Sequence, residues 1–176
     1  SNSSAFYFDM EDDKDLDNIG LSWSGYANYK DMWTVDVFDV FNDLYGVEKN
    51  NISREYIENS VKLDEDKKDN IIGVQSQIWS ETIINEGILD YMFMPNIIVF
   101  SQKAWSHENS WMDISNNDSK REKIENEWNK FANNIGQRVL PMVDNTFGGL
   151  AYDLPKPGGI VANDTLYANT VFPGLN

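Results

Sequence analysis

The chain has 176 residues, 14 basic against 29 acidic side chains, a formal net charge of −15, no cysteine and a single histidine, His107. That length supports a domain with a real core, and 41% hydrophobic residues argue against a disordered chain. The acidic balance speaks against nucleic acid and anionic membranes as partners; the missing cysteines remove disulfides, thiol nucleophiles and zinc–thiolate sites; and one histidine cannot supply a histidine triad or a multi-histidine metal site.

The opening residues Ser1 to Ser4 read as a cleavage start, with no signal peptide ahead of the first apolar run. Ala5 to Met10 is a short aromatic run, expected as a buried strand whose C-terminal end meets a loop. Asp13, Asp15 and Asp17 alternate as at the start of a calcium loop. Its sixth position is Asn18 instead of glycine and its twelfth is Ser24 instead of glutamate, so a solvated loop is expected and no metal or other cofactor is called for. Residues 20–41 are rich in Trp, Tyr and Gly without a clean period and read as a long irregular loop, with a helical end near Val37 to Leu44. A helix capped by Ser53 runs to Val61.

Ile71 to Trp79 is the second expected strand, apolar and continuous at its start, as a strand covered on both faces would be. Two helices follow, Glu86 to Met94 and Ile97 to Trp105, broken at Pro95. Ser119 and Glu122 fit a capping box that starts a helix reaching Asn134, with Ile124, Trp128 and Phe131 on one face; Ile135 to Val143 extends it. A breaker cluster at Pro155, Pro157, Gly158 and Gly159 leads to a β-hairpin around Asn163-Asp164. No apolar run approaches the ~20 residues that span a bilayer. Strands alternating with helices imply a parallel sheet with crossover helices.

Several segments, in order, resemble glycoside hydrolase family 20, the β-N-acetylhexosaminidases, and within it the chitobiases. Tyr7-Phe8-Asp9 resembles the Tyr-x-Asp/Asn motif at the end of the seventh barrel strand. Residues 20–27, with Trp23, resemble the aromatic loop after it. Gly73-Val74-Gln75-Ser76-Gln77-Ile78-Trp79-Ser80-Glu81 resembles the eighth-strand signature Gly-x-Gln/Glu-x-x-x-Trp-x-Glu, and residues 89–105 resemble the helix after it. Residues 152–158 resemble the Tyr-Arg-x-Pro-x-Pro-Gly stretch, and residues 166–175 resemble the opening of the β-rich domain that follows in chitobiases. The family's usual arginine and glutamate after the eighth strand stand here as Asn96 and Gln102. Its His-x-Gly-Gly-Asp-Glu motif, which carries the catalytic acid pair, does not occur in these 176 residues.

The resemblance implies an α/β fold: strands 7–8 and the helices of a (β/α)8 TIM barrel over residues 1–146, then a linker and first hairpin of a small β-rich domain over residues 147–176. It implies an enzyme acting on N-acetylhexosamine-terminated oligosaccharides by substrate-assisted retaining catalysis. The place of action would be secreted, periplasmic or cell-surface, and the partner would be the N-terminal part of the same enzyme. Tyr7 would bind the acetamido oxygen, Asp9 would support the sugar at the pocket wall, and Trp79 would form the base of the sugar pocket. Glu81 would accept hydrogen bonds from sugar hydroxyls, and Trp23 would stack on the sugar beyond the cleaved bond. Read without the family, Tyr7 and Trp79 are core aromatics and Glu81 is a carboxylate at a helix N-terminus. Two rivals stay open: a non-catalytic sugar-binding fragment and a degenerate structural domain.

Overall fold

Four helix starts in this chain are set by asparagine and serine side chains that accept a backbone N–H three residues on. The computed structural model describes residues 3–12, 19–106, 109–150, 161–162 and 165–166. In chain order the helices are α1 (Ser3–Phe6), α2 (Tyr29–Thr34), α3 (Leu44–Lys49), α4 (Arg54–Asn59), α5 (Glu86–Phe93), α6 (Asn96–Trp105), α7 (Asn117–Asn134) and α8 (Leu140–Phe147), with short 3-10 turns at Val40–Asn42 and Glu65–Asn70. Asn28 caps α2 through Asp31 N at 2.8 Å, Ser53 caps α4 through Tyr56 N at 3.1 Å, and Asn85 caps α5 through Ile88 N at 2.9 Å.

Asn116 caps α7 through Ser119 N at 2.9 Å. The capping box expected at Ser119 is therefore displaced: α7 begins two residues before Ser119, because the Asn116 amide oxygen accepts the Ser119 N–H and places Ser119 inside the first turn. Between α7 and α8 the helix widens into a π turn, Ile135–Val139. It lies just ahead of Pro141, which withdraws an N–H from the helical ladder and crowds the preceding turn. The helix ends at Gly148, whose left-handed backbone (φ 80) is one that glycine adopts at little cost.

The two expected strands need correction. α1 takes the start of the first, and beyond it the segment makes isolated parallel bridges only, Tyr7 with Gln77 and Met10 with Leu21. The run from Ile71 to Trp79 meets a neighbour only at Gln77, where Phe8 N donates to Gln77 O at 2.8 Å and Gln77 N donates to Phe6 O at 3.1 Å. A strand is held by partners along its edge. With a single bridge, Ile72 99% exposed and Ile71, Val74 and Ile78 only partly buried, this run lacks the two-sided cover that its continuous apolar sequence anticipates. Residues 20–41, read as irregular, contain α2. Two short strands, β1 (Val161–Ala162) and β2 (Thr165–Leu166), pair antiparallel as the hairpin reading expects.

The core forms where α2, α6 and α7 meet the Tyr7 segment. Trp33 of α2 packs on Trp111 (4.4 Å between centroids), Trp128 (5.5 Å) and Phe131 (5.8 Å, stacked). Phe6 packs edge-on against Phe100 at 5.8 Å, and Phe8 against Phe93 and Phe100 at 6.1 and 6.0 Å. Trp33, Trp111 and Trp128 are thus core residues, whereas Trp105 is 88% exposed. Asn96 and Gln102 take separate local partners, Met92 O at 2.9 Å and Ser106 Oγ at 2.8 Å.

A polar cluster is buried beside this core. Asp36 accepts from Phe38 N (2.9 Å), Asp39 N (3.1 Å) and Asn42 Nδ2 (2.9 Å), and Lys120 Nζ donates to Asn42 O at 2.9 Å. Lys103 is buried in the same region, and burial pulls its amine down to about 8 although the charges of Asp36 and Asp43 oppose the shift.

Candidate functional site

Two sequence segments 70 residues apart are joined at the Tyr7–Gln77 bridge, and the candidate site grows from it. Phe6 and Phe8 turn toward α6, and Ile78 packs against the same core. Phe8 and Asp9 form a turn between the bridged residues Tyr7 and Met10, and Trp79 follows Gln77 by two residues, so the bridge brings Tyr7, Asp9 and the Trp79 backbone into one neighbourhood. Tyr7 is half-buried there, and its ring lies 6.3 Å from the ring of Trp23, tilted by 51°.

Asp9 is the buried member of the group, 1% exposed. Burial pushes its carboxyl above the usual value, and the charge of Glu81 adds to the effect. The backbone N–H groups of Asp9 itself and of Trp79 face the carboxylate and oppose the shift. Neither reaches hydrogen-bond geometry, so both carboxylate oxygens lack a partner among the described residues. A buried carboxylate in this state costs free energy unless something else hydrogen-bonds to it. Trp79 is 52% exposed, Trp23 is 71% exposed and Glu81 is exposed.

The structure thus brings together Tyr7 with Trp23, and Asp9 with the Trp79 backbone and Glu81. What gathers there is a phenol, two carboxylates and the Trp23 indole, with the exposed Trp79 indole carried by the backbone that faces Asp9. Such a set can take a neutral polyhydroxyl ring, with carboxylates accepting from hydroxyls and indoles facing C–H surfaces. No group of three or more His, Asp or Glu side chains that could hold a metal ion occurs among the described residues. The Asp13 to Asp17 stretch, His107 and the motif at 152–158 lie outside the described residues.

Comparison with known proteins decides the family. The model of glycosyl hydrolase family 20, catalytic domain, matches residues 1–108. The chain belongs to glycosyl hydrolase family 20. The match covers both segments of the candidate site, and a family 20 catalytic domain implies a TIM barrel. The chain is 34% identical to the N,N'-diacetylchitobiase of Vibrio harveyi over 112 residues, 58% of this chain and 12% of that protein. It is 25% identical to a beta-hexosaminidase of Vibrio vulnificus over 194 residues, 97% of this chain and 21% of that protein. The chain therefore spans about an eighth to a fifth of the length of these family 20 relatives. No helix among the described residues is long and apolar enough to cross a membrane.

Sequence reasoning missed two residues that shape the candidate site. Gln77 entered only as a letter of a motif, yet its backbone joins the two segments. Gly20 entered only as the end of a range, yet an added Cβ there would lie 2.7 Å from Glu11 N and 3.0 Å from Asp9 O. A glycine between an acidic loop and a tryptophan-bearing turn was the available signal.

Proposed function

We propose that this chain supplies part of the sugar pocket of a β-N-acetylhexosaminidase that releases terminal N-acetylhexosamine from chitobiose, chitooligosaccharides or glycoconjugates. The observation that carries the reading is the Tyr7–Gln77 bridge, which sets the two motif-bearing segments side by side. In this reading the Tyr7 hydroxyl donates to the acetamido oxygen of the bound sugar and aims it at the anomeric carbon. That oxygen attacks, the bond to the leaving oxygen breaks, and the leaving oxygen takes a proton from a carboxylic acid. Water then opens the cyclised intermediate from the other side, so configuration is retained. The acid and the aspartate beside it come from a part of the enzyme outside these 176 residues.

Trp79 forms the floor under the sugar ring and keeps water from the reacting carbon. Glu81 accepts from the sugar's hydroxyls. Asp9, buried beside the Trp79 backbone, supports the sugar or its neighbours from the pocket wall. Trp23 stacks on the sugar beyond the cleaved bond. Residues 147–176 form the linker and first hairpin of a following β-rich domain, and the place of action is secreted, periplasmic or cell-surface.

The test is hydrolysis of a chromogenic N-acetyl-β-glucosaminide by the complete polypeptide, by this chain alone, and by the complete polypeptide carrying Tyr7→Phe. Turnover by the complete protein only, with kcat reduced roughly 100-fold by Tyr7→Phe through lost orientation, is the expected result. Sugar binding without turnover in either form contradicts the hydrolase reading and favours a carbohydrate-binding protein.

A further inference from the structure

We propose that Gly20 is a positioning residue that mounts Trp23 over the Tyr7 side of the site; the proposal rests on the hexosaminidase reading. Trp23 is 71% exposed, and its ring contact among the described residues is with Tyr7, at 6.3 Å. Side-chain packing over so small a contact cannot fix an indole. The backbone on either side does the fixing. Leu21 N donates to Asp9 O at 2.8 Å, and Glu11 N donates to Leu21 O at 3.0 Å, which makes the Met10–Leu21 parallel bridge. Further on, Ala27 N donates to Glu11 O at 2.9 Å. Between these pins a tight turn closes from Gly25 N to Ser22 O at 3.1 Å, with Trp23 at its first corner. The loop that displays Trp23 is thus fastened at both stems to the segment that carries Tyr7 and Asp9.

The first pin needs space at Gly20. A Cβ there would sit 2.7 Å from Glu11 N, 3.0 Å from Asp9 O and 3.0 Å from the carbonyl carbon of Met10. All three are backbone atoms of the segment that the loop pairs with, so no side chain can swing aside. An alanine must push the loop away from the segment, and the two hydrogen bonds through Leu21 lengthen together. Trp23 moves with them, because it lies two residues on. At Gly25, by contrast, no atom lies within 4 Å of an added Cβ, and the constraint is the backbone itself at φ 92. The two glycines secure the turn by different means: one permits close approach and the other permits the torsion.

The experiment measures KM and kcat of the complete enzyme for the disaccharide N,N'-diacetylchitobiose in four forms: unchanged, Gly20→Ala, Trp23→Ala and the double variant. The expected result is a KM raised about 10-fold by Gly20→Ala, with kcat changed less than about threefold. In the Trp23→Ala background the same substitution adds less than about twofold, since the group it positions is gone. Thermal unfolding accompanies each form. If Gly20→Ala does not accumulate folded, Gly25→Ala carries the test, with the same KM-selective loss and the same disappearance in Trp23→Ala. Normal KM in Gly20→Ala, or an equal penalty with and without Trp23, overturns this proposal alone. Absence of any turnover by the unchanged enzyme overturns the hexosaminidase reading and this proposal with it.

Discussion

Asp9 offers a stability test of the site that needs no substrate. Its carboxylate is 1% exposed and neither oxygen has a hydrogen-bond partner among the described residues. Asp9→Asn keeps the shape and removes the charge. Leaving a charged group buried and unsatisfied costs at least about 1–3 kcal/mol, so the asparagine variant is expected to be more stable by about that amount at pH 7. For a chain of this size each kcal/mol moves Tm by about 2–4 °C, giving a rise of roughly 2–12 °C. The pH dependence follows from the direction of the shift. The folded carboxyl titrates above its ordinary value of 3.8, chiefly through burial. Its favourable contribution is therefore complete below that ordinary value and is lost as pH rises through the folded one. The gap between variant and parent should open as pH rises from about 4 and then stay constant toward neutrality. Thermal unfolding followed by circular dichroism from pH 3 to pH 8 reads both quantities. A variant less stable than the parent at pH 7, or a gap as wide at pH 3 as at pH 7, would refute the reasoning. The complete enzyme carrying the same substitution should bind sugar more weakly, as expected where a site holds strain for function.

Trp128 lies at the centre of the aromatic cluster, and Trp128→Ala is expected to cost about 3–5 kcal/mol in urea unfolding; a loss under about 1 kcal/mol would remove that cluster from the account of the core. Lys103 has its folded pKa lowered to about 8 by burial, against an ordinary value of 10.5. The unfolded chain then holds more protons between those values, so the parent should gain stability relative to Lys103→Met as pH rises from about 8 to 10.5, and a flat difference would contradict its burial.

Much of the helical architecture was legible in the sequence because its signals are local. Ser53 and Pro95 mark boundaries that a cap and a missing N–H impose on any backbone, and the Trp128–Phe131 face of α7 follows from helical periodicity. The start of α7 was less legible. Ser119 with Glu122 read as the cap, yet Asn116 three residues earlier is an equally good acceptor, and local backbone geometry decides which residue starts the helix. α2 was hidden because it is only six residues long: Tyr29, Met32 and Trp33 keep the i, i+3, i+4 spacing of one buried face, but a single turn and a half inside an aromatic-rich stretch shows no sustained period, although Asn28 was a usable cap signal. The strands were over-read for a different reason. Continuous apolar sequence reports that a segment is to be covered, whereas a ladder also needs neighbours, and Ile71 to Trp79 meets one at Gln77 only. The site residues were legible as motifs. That the two motifs lie side by side followed from their places on the seventh and eighth strands of the resemblance; that a lone parallel bridge at Gln77 and a close approach at Gly20 hold them there did not.

The most direct measurement is a crystal structure of the complete enzyme with N-acetylglucosamine bound. The pyranose should lie on the Trp79 indole, its acetamido oxygen within hydrogen-bond reach of the Tyr7 hydroxyl and its ring hydroxyls on Glu81, with Asp9 in the wall behind. A sugar seated elsewhere, or bound with Tyr7 and Trp79 on different sides of it from those the bridge dictates, would contradict the account.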